Sequence, residues 1–135
     1  LPKGIHSGNR YIKTFPTTPE NAAWGDAYKA KYNEYPTNWS WQNATAVMFL
    51  AEAAKKANST DGKKIAEVLA GLTIKCPFGA DGTVTMRGDD HTLVGYAIGW
   101  GTTIPQEPYV PEVKAGDWKT IFELEAEWKK SKGYT

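Results

Sequence analysis

"ATAVMFLAEAAKKANSTDGKKIAEVLAGL", residues 44 to 72, decides how the rest of the chain reads. Two apolar stripes run at helical spacing between Ala44 and Ala57: Val47, Met48, Ala51 and Ala54 in one, Ala46, Phe49, Leu50, Ala53 and Ala57 in the other. A helix apolar around most of its circumference belongs inside a larger body, packed on both sides. "STDGKK" then breaks the pattern, and Ile65, Val68, Leu69 and Leu72 resume helical spacing. The stretch therefore predicts one helix over 39–58 and another over 61–70.

Upstream, "TTPEN" is a helix start. Thr18 caps, Pro19 suits the first turn, and Glu20 favours the helix dipole. That helix should run over 19–32 and bury Trp24, Ala27, Tyr28 and Tyr32. Residues 1–15 read as extended, with Ile5, Tyr11, Ile12 and Phe15 as strand positions. Downstream of Gly71 the pattern changes to short strands, "LTIKC", "TVTMR" and "LVGYAIGW", lying between 72 and 100 and falling short of a complete parallel sheet. "TTIPQEPYVPEVKAGD" is a proline-rich connection, and "WKTIFELEAEWKKSKG" is an amphipathic helix ending in lysines and Gly133.

The gross numbers bound the function. With 135 residues, 41% hydrophobic and 23% charged, the chain is one ordinary globular domain or one lobe of something larger. A formal net charge of +1 lacks the basic excess of a nucleic-acid binder. No apolar run approaches the ~20 residues of a membrane span. Leu1 opens directly into "LPKGIHSG", without a signal-peptide pattern. Cys76 is the single cysteine, so neither an internal disulfide nor a cysteine-built zinc site is expected. Two further helices and a few strands cannot cover both sides of the 39–58 helix. The residues are thus expected to be the C-terminal portion of a bigger protein, or to self-associate.

The ordered series "LPKGI", "YKAKYNEYP", the stretch 44–72 and "FGADGTVTMRGDDHTLVGYAIG" resembles the leucine/isoleucine/valine-binding family, the type I periplasmic substrate-binding proteins of ABC transporters. The likeness covers nearly the whole chain and is weakest over the last twenty residues. Two positions depart from the family pattern: Ala44 stands where the family often has Tyr, and Thr92 where it often has Gln. The resemblance implies a partial α/β periplasmic-binding-protein type I fold. Residues 1–72 would be mainly the helical part of the first lobe, and residues 73–135 the hinge, strands and C-terminal tail.

Candidate site residues follow. In "YPTNWSWQNATAV" the resemblance places Trp39 on the wall of a ligand cleft. In an extended loop Trp39 and Trp41 would share a face. Tryptophan offers an apolar wall, an N–H donor and a cation-binding face, and Gln42 can donate and accept. The competing reading is that both tryptophans pack beneath a helix start. In "MRGDDHTLVGYAIG" the carboxylates Asp89 and Asp90 are adjacent, which on a strand points them apart and makes a poor hydrolytic pair. The segment also lacks metal-ligand spacing, since the other histidine, His6, is far away in sequence. Arg87, Asp89, Asp90 and His91 read instead as a structural hairpin closure at the hinge, held by charge-assisted hydrogen bonds.

No catalytic residue, metal or cofactor is assigned. The resemblance implies a non-catalytic protein, periplasmic or extracellular and lipid-anchored in some members. It would bind an amino-acid-like, aromatic or amide solute and deliver it to ABC permease subunits. A ligand-sensing module of the same fold is the alternative. The helices argue against an all-β carbohydrate-binding module.

Overall fold

The computed structural model describes residues 2–107 and 109–134. Leu1 of the opening segment, Pro108 of the proline-rich connection and Thr135 lie outside the described residues. The order is β1 (His6–Asn9), α1 (Pro19–Tyr32), α2 (Asn38–Ala57), α3 (Gly62–Leu69), β2 (Thr73–Lys75), β3 (Thr83–Met86), β4 (Leu93–Val94), β5 (Gly99–Thr102), β6 (Lys114–Ala115) and α4 (Trp118–Ser131).

The helix boundaries follow local chemistry. Thr18 accepts the Asn21 backbone N–H at 3.2 Å, and Asn33 stops α1 in the left-handed region at φ 57°. Asn58 stops α2 in the same way at φ 45°. Asp61 then caps α3 by accepting from Lys63 and Lys64, each at 3.1 Å. One expectation for α1 is corrected. The helix packs through Asn21 and Gly25, with Trp24 and Tyr28 part-buried, so Ala27 turns outward and Tyr32 stays exposed beyond the end of the core.

The strands form two three-stranded antiparallel sheets, ordered β2-β3-β4 and β1-β5-β6. In the first, Ile74 faces Val84 in register and both are buried. The β2–β3 connection is tight at Gly79, where a Cβ would collide with the Thr83 backbone. The expected single strand "LVGYAIGW" splits in two. Gly95 at φ 84° turns the chain out of β4, and it re-enters the second sheet as β5. The first fifteen residues also differ from expectation. Only 6–9 form a strand, Ile12 and Phe15 make an isolated bridge, and Tyr11 drops into the core.

That core joins Tyr11, Trp41, Phe49, Ala53, Leu72, Ile74, Cys76, Phe78 and Val84. Phe78 is its aromatic centre. Its ring meets Tyr11 at 5.8 Å and Trp24 at 4.6 Å edge-to-face, and Trp41 at 5.9 Å. Beyond this core the α2 face carrying Val47 and Leu50 is open, 66% and 52% exposed. The second side that the sequence required for α2 is uncovered among the described residues.

Replacing Phe78 by Ala removes a fully enclosed ring from three aromatic neighbours. It should cost about 3–5 kcal/mol, read by equilibrium urea unfolding. A loss below about 1 kcal/mol would mean that the cluster is not the core.

Candidate functional site

The start of α2 carries the sequence-predicted binding residues Trp39, Trp41 and Gln42. Ser40 Oγ accepts the Thr37 backbone N–H at 3.1 Å and donates to Tyr28 Oη at 3.1 Å. The first turn is thereby capped and tied to α1. The Trp39–Trp41 pair is already inside the helix, and this corrects the expected extended geometry. Two residues along a helix are about 200° apart, so the rings point to opposite sides.

Trp41 faces inward at 2% exposure, against Phe78 and against Tyr96 at 5.3 Å. Its Nε1 donates to Asn38 Oδ1 at 3.2 Å and so orients the first helical residue. Trp39 faces outward at 74% exposure. Asn43 Nδ2 donates to the Trp39 carbonyl at 2.8 Å. Gln42 lies about 60° round the helix from Trp39 and is half-buried.

Beside this turn lies a groove of about 650 Å³ between the β1-β5-β6 sheet and α4. Ile98 and Trp100 form one wall, Ile121 and Leu124 of α4 the other, and Arg10 and Asn38 stand at the α2 end. Sequence reasoning missed this groove. The available signal was the alternation in "AIGWGT": Ile98 and Trp100 share one face of a strand, while Gly99 and Gly101 leave the other face flush against the next chain segment. The wall from α4 had no local signal.

The "RGDDH" cluster stands elsewhere, in the turn joining β3 to β4. The Arg87 N–H donates to the Thr92 carbonyl at 2.9 Å and closes the turn. Arg87 Nε and Nη2 grip Asp89 Oδ1 and Oδ2 at 3.1 and 2.9 Å. Asp90 accepts from the Thr92 N–H at 2.9 Å and from its hydroxyl at 2.7 Å. His91 contributes a left-handed backbone, φ 58°, and an exposed ring. The charge-assisted bonds run within the turn and on to α4, where Arg87 Nη1 meets Glu125 Oε1 and Oε2 at 3.0 and 2.9 Å.

Each carboxyl is held below its ordinary pKa. For Asp89 the main cause is Arg87, and for Asp90 it is the Thr92 N–H. For Glu125 it is Lys129 first and then Arg87. Arg87 is held still more firmly protonated by Asp89 and Glu125.

A family model described as periplasmic binding protein matches residues 3–98. Solved structures share the fold. A solute binding protein of an ABC transporter from Rhodopseudomonas palustris BisB5, in complex with 3,4-dihydroxybenzoic acid, has a TM-score of 0.70 at 17% identity over 84% of this chain. An ABC-type branched-chain amino acid transporter from Rhodopseudomonas palustris CGA009 has 0.66 at 20% over 86%. An amino acid ABC transporter substrate-binding protein from Pseudomonas fluorescens Pf-5 has 0.68 at 24% over 84%. The chain spans 30%, 30% and 31% of their respective lengths. No curated protein matches the chain.

Two outcomes test this geometry. Trp41→Ala should lose about 3–5 kcal/mol in urea unfolding, whereas Trp39→Ala should stay within about 0.5 kcal/mol. The reverse order would mean that α2 is rotated about its axis. In acid, the lowered carboxyl values of Asp89, Asp90 and Glu125 mean that the folded state binds fewer protons than the unfolded chain near those values. Their contribution is present above the ordinary values, 3.8 for Asp and 4.5 for Glu, and fades as pH falls below them. Melting temperature should therefore drop on acidification through that window, and by less in an Asp89→Asn/Asp90→Asn/Glu125→Gln variant.

Proposed function

The chain belongs to the periplasmic binding protein family, and we propose that it forms part of the extracytoplasmic solute-binding component of an ABC transporter. That family binds solutes and does not catalyse. In this reading a small amino-acid-like, aromatic or amide solute is held between two lobes and handed to membrane permease subunits. The protein works in the periplasm or outside the cell, and no helix among the described residues is long and apolar enough to cross a membrane.

The observation that carries the reading is Trp39. A tryptophan 74% exposed on the first turn of a well-packed helix has no role in this core, yet it is held at a defined place by the capped turn. An indole presented this way is a flat apolar wall for a ligand. Gln42, beside it, supplies polar contact. Trp41 acts from within by fixing Asn38 and the helix rotation.

Residues 1–72 then contribute mainly helices to the first lobe, and residues 73–135 the hinge, strands and tail. The pairing of β1 with β5 joins the two parts. The open face around Val47 and Leu50 is covered by the rest of that fold. The 3,4-dihydroxybenzoic acid bound in one similar solved structure guides which solutes to test.

A thermal-shift screen of the two-lobed protein against amino acids, aromatic acids and amides should yield a stabilising solute. Calorimetry with that solute should show Trp39→Ala binding about thirtyfold more weakly, roughly 2 kcal/mol, with the melting temperature of the free protein unchanged. A screen without any stabilising solute would sink the transport reading. Unchanged affinity in the variant would sink the role of Trp39.

A further inference from the structure

The geometry points to α4 as a detachable strap that forms one wall of the groove beside β5 and β6, latched by the Arg87–Glu125 ion pair. The helix has fourteen residues and none is buried; Phe122, Leu124 and Trp128 are all exposed. Its beginning is anchored. Gly116 N–H donates to the Ile98 carbonyl at 2.7 Å, and Trp118 lies edge-on to Tyr96 at 5.0 Å with Nε1 donating to the Tyr96 carbonyl at 2.7 Å. Beyond that first turn, the polar tie to the body among the described residues is the two-oxygen grip of Arg87 Nη1 on Glu125.

The latch is built to engage at small entropic cost. Asp89 already holds two other nitrogens of the guanidinium, so Arg87 presents its remaining N–H groups in a fixed direction. It is also built to release. Lys129, one turn along α4, contacts Glu125 Oε1 at 2.7 Å and keeps the carboxylate partnered when Arg87 lets go. The two halves of the latch are 38 residues apart: Arg87 lies within the stretch that the family model matches, and α4 lies beyond its end at residue 98. When the strap swings away, Ile121 and Leu124 leave with it, Ile98 loses its cover, and Trp100, already 50% exposed, is bared further.

Hydrogen exchange read by mass spectrometry on the whole chain tests the latch. At low salt, Glu125→Gln should speed exchange in peptides from 118–131 by about fivefold or more, the weight of a two-oxygen charge-assisted contact. Peptides from 41–53 and 73–86 should keep their protection. Molar salt should reproduce the effect in the unaltered chain and add little to the variant. Lys129→Gln removes the same within-helix pair but spares the latch, and should change α4 exchange by less than about twofold. Unchanged exchange in Glu125→Gln, a loss of protection spread over the whole chain, or an equal effect from Lys129→Gln would overturn the proposal.

Discussion

The stripe Trp41, Thr45, Phe49 and Ala53, buried on the side of α2 that shares a core with Ile74 of β2 and Val84 of β3, sets the rotation of α2, and much else follows from that rotation. These positions are four apart, so they stack on one side of the helix. Thr45 is a polar residue in the middle of the stripe, but its hydroxyl donates to the Trp41 carbonyl at 2.7 Å and leaves nothing unmet. With this side turned inward, Trp39 has no choice but to face out. The exposure of the candidate binding residue is thus a consequence of the core, two residues away.

The aromatic cluster extends the same logic across the chain. Tyr11, far upstream, packs edge-on against Trp24 and Phe78, and burial pushes its phenol well above the ordinary tyrosine value. Trp41 passes the contact to Tyr96, and Tyr96 passes it to Trp118 at the start of α4. The segments of Tyr11, Trp24 and Trp41 are therefore aligned through rings, whose edge-to-face geometry is directional as well as apolar.

Local signals were the legible part. Thr18, Asp61 and Asn58 end or begin helices by chemistry confined to three or four residues, and the observed α1, α2 and α3 lie within one residue of the ranges 19–32, 39–58 and 61–70. The resemblance supplied the fold family, which the match over residues 3–98 shows. What was illegible depends on distant partners. Gly95 looks like any strand glycine until two sheets compete for the residues on either side of it. The Trp39–Trp41 geometry turned on whether the helix begins at Asn38 or a turn later. Arg87 and Glu125 are 38 residues apart, and no periodicity links them.

The pairing of β1 with β5 sets His6 opposite Thr102 and Asn9 opposite Gly99. Almost the entire core lies within the loop that this pairing closes, and α2, α3, β2 and β3 are neighbours in sequence. Closing a loop of this length costs chain entropy that grows as roughly the logarithm of its size, and it is repaid only by contacts at the loop's ends. The segment from Trp41 to Met86 is thus held by contacts short in sequence, whereas the first strand is held by pairing across a loop of about ninety residues.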